Sequence, residues 1–471
     1  MAAYFHYRSL EELNEDAQRR GLAIPLEADR GKVQAALGRR VQVGSFSVGN
    51  ALAIHPMEGC DGDANGSPDV LTKRRYDRFA TGGAKLIWFE ATAVVEEGRA
   101  NPRQLWLHAG NTQDFARLLE RTREVHRQTF GNADDLLDVL QLTHSGRYSY
   151  RQPLAAYNHS IIDKPGTRVL DDDYIERLED AYVEAAQRAK ACGFRAIDLK
   201  LTHGYLGIEL LGARTRPGKY GGSFENRTRF ARNVLGKIRA AAGKDLILAV
   251  RLAAHDGIPY KIDPATKRGI PTKVEIPYKY GFGNNLESPE EDDLTEPKAF
   301  IKQLQASGVE LLNISLGVPY YNPHVGRPFD KADEGNYETP EHPMIGVARH
   351  FRIAGELQRT FPGLPMVGTG YSWLQKYLVN AGAANLRSGD IRFVGYGRAA
   401  LPYPDLARDV LERGEIDERR VCKTLTFCTY LMRNRSNALG QFPTGCPPFD
   451  KEVYGPIMKE AKAAKKAREK S

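Results

Sequence analysis

Cysteine is scarce: five residues in 471, at scattered positions. They are too few and too irregular for a disulfide framework, so a reducing cytoplasm is the expected compartment. No apolar run approaches the roughly 18 residues that cross a bilayer, and no membrane partner is expected. The opening MAAYFHYRSLEELNEDAQRR has no apolar export core. HExxH and CxxC spacings are missing, and His55, His144 and His203 fall in three separate segments. No metal site is therefore expected. No GxGxxG follows the first strand candidate, which argues against an open dinucleotide-binding sheet. The charge excess is modest, with 67 Lys and Arg against 59 Asp and Glu, or +8. It concentrates only in the tail KEAKAAKKAREKS, which has no aromatic residue on which a base could stack. A solvated helix and no nucleic-acid partner are expected there.

What the chain does contain is an alternation. Short apolar segments recur at 51–55, 85–95, 137–142, 196–201, 246–252, 309–316, 364–368 and 391–395. Most are continuous apolar runs, the pattern of strands buried on both faces. Helix-like stretches lie between them, among them 115–130, 171–192 and 226–242. The stretch 171–192 opens on an acidic cluster and is followed by Gly193, as a helix should start and stop. Eight strands alternating with helices predict an α/β fold, a (β/α)8 TIM barrel. Three parts exceed it: an N-terminal helical extension over 1–40, an insertion at 255–295, and a helical extension over 416–471 around the barrel of 41–415. A long loop after the fifth strand sits at a barrel's mouth, so 255–295 is expected to be a lid.

Catalytic groups of such barrels sit at the C-terminal ends of the strands. Those ends carry His55-Pro56-Met57-Glu58, Glu90-Ala91-Thr92, Gln141-Leu142-Thr143-His144, Lys200-Leu201-Thr202-His203-Gly204-Tyr205, Arg251, Gly368-Thr369-Gly370 and Gly395-Tyr396-Gly397-Arg398. Glycines followed by an arginine after the seventh and eighth strands suit a phosphate, because backbone N–H groups approach an anion closely there.

The segment HGYLGIELLGARTRPGKYGGSFENRTRF at 203–230 resembles the old yellow enzyme family of FMN-dependent oxidoreductases. GGAKLIWFEATAVVEEGR, QLTHSGR and FVGYGRAALPYPDL agree with it in order, and the likeness covers roughly 41–415. The resemblance implies one barrel with FMN in its mouth. Met57, Glu58 and Ala91 would then lie at the flavin, Gln141 on its pyrimidine edge, and Arg251 near its N1–C2=O region. Gly370, Gly397 and Arg398 would take the phosphate. Tyr205 matches the family's proton donor to carbon, and His203 one of the two side chains that grip a substrate carbonyl.

Two departures stand out. Where the family usually has His, three residues before His203, this chain has Lys200. It is expected to be a second donor to a forming enolate oxygen, a partner of a substrate carboxylate, or a partner of Glu58. Glu58 itself replaces the family's usual Thr or Cys. Longer members carry an iron–sulfur cluster on four cysteines after the barrel; here Cys422, Cys428 and Cys446 are one short, so a lost cluster is expected. The expected activity is hydride transfer from NADPH or NADH through FMN to an activated C=C bond of a small molecule. Oxidation or demethylation of an amine or other saturated substrate is the alternative, followed by a metabolite-binding barrel without FMN. A homo-oligomer is compatible with the exposed helices and extensions.

Overall fold

The computed structural model describes residues 5–332 and 336–469. Eight parallel strands close into a barrel: β1 (Leu52–Ile54), β2 (Leu86–Ala93), β3 (Leu137–Thr143), β4 (Ala196–Leu201), β5 (Ile247–Ala253), β6 (Val309–Ser315), β7 (Met366–Gly368) and β8 (Phe393–Tyr396). All eight expected strands form. Every residue of β2, β3, β4 and β5 is buried, because the barrel interior covers one face and helices the other. β7 starts later than expected. Pro365 has no N–H to donate to a ladder and contributes only its carbonyl, which accepts from the Leu312 N–H at 3.1 Å.

Eight helices ring the barrel: α1 (Val70–Ala80), α2 (Thr112–Phe130), α3 (Asp172–Ala191), α4 (Phe224–Ala242), α5 (Thr295–Ala306), α6 (Pro343–Thr360), α7 (Leu378–Ser388) and α8 (Leu406–Arg413). Their caps are written in the sequence. Asp171 accepts from the Tyr174 N–H ahead of α3, and Ser223 from the Asn226 N–H ahead of α4. Gly131 ends α2 at φ 84°, a left-handed turn that a Cβ would strain. Helices Leu10–Arg19 and Arg30–Gly38 form the N-terminal extension. They are followed by a hairpin, Val41–Val43 with Phe46–Val48, that immediately precedes β1.

The insertion settles differently from expectation. The 255–295 insertion does not line the cavity at the mouth. It carries a small hairpin, Tyr260–Ile262 with Gly269–Pro271, and is folded back on itself. Asn284 bonds Gly257 in both directions, Asp256 accepts from the Phe282 N–H, and Arg214 donates to the Gly281 carbonyl at 2.7 Å. Those ties turn the loop sideways against the segment after β4. The C-terminal extension takes the roof instead, with α9 (Phe427–Arg433) and α10 (Tyr454–Arg468). Its Asp450 receives Arg74 and Arg78 of α1, at 2.7 and 2.6 Å. The Thr444 N–H bonds the Gly59 carbonyl at 2.7 Å. Tyr430, Leu431, Phe442, Tyr454, Met458 and Ala461 give this cap an apolar core of its own. No helix among the described residues is long and apolar enough to cross a membrane.

Candidate active site

Strand register builds the site. Gln141 on β3 pairs with Asp198 on β4, and Lys200 on β4 with Arg251 on β5. Neighbouring strands thereby bring Gln141, Lys200 and Arg251 to the C-terminal rim together. They face a cleft of about 1230 Å³, part of it open to solvent. The same cleft is lined by Met57, Glu58, His203, Tyr205, Gly370, Gly397 and Arg398. Ten of the eleven residues expected at the site thus share one cavity. Ala91 is the exception. The strand is irregular between Phe89 and Thr92, and the buried Ala91 gives its carbonyl to Gln104 Nε2 at 3.2 Å instead of lining the cleft.

Glu58 is the hub of the inner wall. Its Oε1 accepts from Lys200 Nζ at 3.0 Å and from Tyr205 Oη at 2.9 Å. Lys200 Nζ also lies 3.7 Å from the Tyr205 ring centre, a cation–π distance. Of the three partners weighed for Lys200, the structure shows Glu58. The lysine is 2% exposed; burial pulls its pKa down, and Glu58 pulls it back up. Burial pushes the Tyr205 phenol well above its ordinary range, with Glu58 adding to the effect. His203 sits at φ 66°. Its pKa is held well below the usual value by burial, then by the charges of Arg251 and Lys200.

Beneath this wall lies a residue that no local sequence pattern marks. Asp198 accepts from Gln141 Nε2 at 2.6 Å, Trp88 Nε1 at 2.8 Å and the Arg251 N–H at 2.6 Å. Burial raises its pKa to about 6, against the lowering effect of those donors. Sequence reading also names nothing at the end of β6, yet Pro319, Tyr320, Arg327 and Pro328 line the cleft from there. Cys428, Thr429, Met432 and Thr444 line it from the C-terminal cap. The run VPYYNPHV directly after an apolar strand was the available signal for Tyr320.

The cleft also suits a large planar group with an anionic end. Arg251 Nε, Arg398 Nη1 and His55 Nε2 are buried and have no hydrogen-bond partner in the protein, a cost unless something fills the cleft. The backbone is drawn close as well. A Cβ on Gly395 would stand 2.2 Å from His55 Cε1, and one on Gly370, at φ 95°, 3.0 Å from His350. Gly397 leaves 3.3 Å to Met57 Sδ. Cys422 lies near Arg398, and burial raises the thiols of both Cys422 and Cys446. Among the described residues no group of three or more His, Cys, Asp or Glu could hold a metal ion.

A profile of the NADH:flavin oxidoreductase / NADH oxidase family matches residues 39–272. The chain belongs to this family, the old yellow enzyme family. Within it, an NADPH dehydrogenase of Clostridium acetobutylicum is 29% identical over 213 residues, which are 44% of this chain and 60% of that protein. A probable N-methylproline demethylase of Rhizobium meliloti is 26% identical over 383 residues, 76% of this chain and 47% of the relative. The chain thus spans about half to three-fifths of these relatives' length. Among solved structures, the old yellow enzyme homologue of Zymomonas mobilis superposes with a TM-score of 0.57 at 22% identity, covering 80% of this chain and 92% of that one. That likeness shows the family's barrel.

Proposed function

We propose that the protein binds FMN in this cleft and moves a hydride from NADPH or NADH to an electron-poor alkene. The observation that carries this is one cavity lined by two chemically distinct sets of groups. One set is the partnerless Arg251 Nε and Arg398 Nη1 with Gln141. The other is Glu58, Lys200, His203 and Tyr205. FMN fits the first set: Gln141 would take the polar ring edge, Arg251 would supply positive charge beside it, and Arg398 with Gly370 and Gly397 would take the phosphate. Bound there, FMN supplies two-electron hydride chemistry that no side chain can.

The chain's own residues then divide the remaining work. His203, neutral at physiological pH, donates to the substrate carbonyl oxygen. Lys200, committed to Glu58, keeps the inner wall charge-balanced and faces the Tyr205 ring. Tyr205 delivers a proton to the carbon next to the carbonyl. A phenol raised above its usual pKa is a weak acid, but a carbanion is a far stronger base.

Oxidation of an amine is the second reading. Tyr205 and Tyr320 support it, because tyrosine rings lining the cleft suit a cationic substrate. The similarity to the N-methylproline demethylase over 76% of the chain supports it too.

One experiment separates these readings. The purified protein reconstituted with FMN is expected to show the flavin double band and to bleach with NADPH. It should then recover colour with 2-cyclohexen-1-one under anaerobic conditions. Tyr205→Phe should slow the recovery by about a hundredfold or more and leave bleaching intact. Bleaching by an N-methylated amine without NADPH would establish the second reading instead. A protein that takes up no FMN would overturn both.

A further inference from the structure

Tyr205 is 2% exposed. Resting on the function proposed above, a phenol that has given its proton to carbon must regain one without direct contact with water. The structure offers its oxygen two neighbours, Glu58 Oε1 at 2.9 Å and Tyr320 Oη at 3.1 Å. Glu58 Oε1 also accepts from Lys200, so it serves as the acceptor that orients the Tyr205 hydroxyl. With its own proton aimed at Glu58, Tyr205 Oη is left to accept from Tyr320. Tyr320 is 42% exposed over the whole residue, and its hydroxyl, turned inward onto Tyr205 and pushed up in pKa by burial, links that exposed ring to the buried phenol. Its ring is fixed by stacking on Tyr148, with centres 3.7 Å apart and planes 16° apart, and it lies within 23° of parallel to Tyr205.

We propose that Tyr320 is the outer member of a proton relay, water to Tyr320 to Tyr205, with Glu58 and Lys200 anchoring its inner end. The balance is simple. The Tyr205 O–H turns from Glu58 to the substrate carbon, and its bond breaks as the substrate C–H bond forms. The Tyr320 O–H then gives its proton to the Tyr205 phenolate oxygen, and a solvent proton, carried by hydronium or a buffer acid, restores Tyr320. No electrons move in this leg. The Lys200 ammonium, 3.7 Å from the Tyr205 ring centre, steadies the phenolate between the two transfers.

The test removes one oxygen atom. In the FMN-loaded full chain, Tyr320→Phe keeps the stacked ring and deletes the relay hydroxyl. Colour recovery with 2-cyclohexen-1-one should slow about tenfold and acquire a larger solvent deuterium isotope effect. Exchange of the Tyr205 hydroxyl with D2O can be followed without turnover, through the deuterium isotope shift in carbon NMR of ring-labelled tyrosine. It should slow by a similar factor. Tyr148→Phe loses a hydroxyl from the same stack but none from the relay, and should leave that exchange unchanged. Unaltered Tyr205 exchange in Tyr320→Phe overturns the relay, as does equal slowing in both variants. If the wild type reduces no alkene but its Tyr205 exchange depends on Tyr320, the proposed activity fails and the relay stands.

Discussion

Asp198 lies under the site and sets its polarity. Three N–H donors converge on its carboxylate, so the Gln141 amide nitrogen points inward and the amide oxygen is left for the cleft. Asp198→Asn keeps the shape but replaces one acceptor oxygen with a donor, leaving one of the three N–H groups unsatisfied. FMN affinity should fall about tenfold, near 1.4 kcal/mol. Fluorescence titration of FMN checks this, and unchanged affinity would remove Asp198 from the site's support. Gln141 was legible in the sequence because the QLTHSGR motif carries it, and Arg251 because it ends the fifth apolar run. Asp198 was not, because its role comes from cross-strand register. The Glu58–Lys200 bond lay beyond sequence reading for the same reason: it joins residues 142 positions apart.

At the scale of elements, strand order and helix caps were plain, while loop direction was hidden. A continuous apolar run is a property of neighbouring residues, and all eight barrel strands formed where such runs lie. Where a long loop goes depends on its ties. The 255–295 insertion was long enough to cover the mouth, yet the bonds of Asn284 and Asp256 hold it aside. The roof is α9, a seven-residue helix, with Thr444 bound to the loop after β1. Met432 faces the cleft from that helix. Met432→Ala should raise KM for 2-cyclohexen-1-one several-fold through lost apolar contact, at about 0.8 kcal/mol per methylene. FMN affinity should be unchanged, since the flavin wall is built from strand ends. Equal loss of both would show that the cap braces the whole site.

For the molecule as a whole, buried histidines set the response to acid. Burial is the first cause that lowers the pKa of nine of the eleven: His55, His126, His144, His159, His203, His255, His324, His342 and His350. Where a value is resolved it is about 3 to 4, against the usual 6.5. The unfolded chain therefore binds more protons than the folded one as pH falls below 6.5, and stability is lost on the way to pH 4. Five buried carboxyls, Glu90, Asp198, Glu209, Asp256 and Asp330, are shifted upward and oppose this. The histidines outnumber them. Urea midpoints should drop steadily from pH 7 to 6 to 5, and a flat profile would contradict the neutral buried imidazoles.

The cap has a further consequence in time. Met432 and Thr444, which help close the cleft, follow the last barrel strand by 36 and 48 residues in the chain. At roughly 5–20 residues per second, a ribosome needs some seconds to add them once β8 is made. Until the cap docks, the barrel is a cup without a cover, its arginines reachable from above. Under the proposed function, FMN arriving before the cap docks would have a wide entrance that the finished molecule narrows.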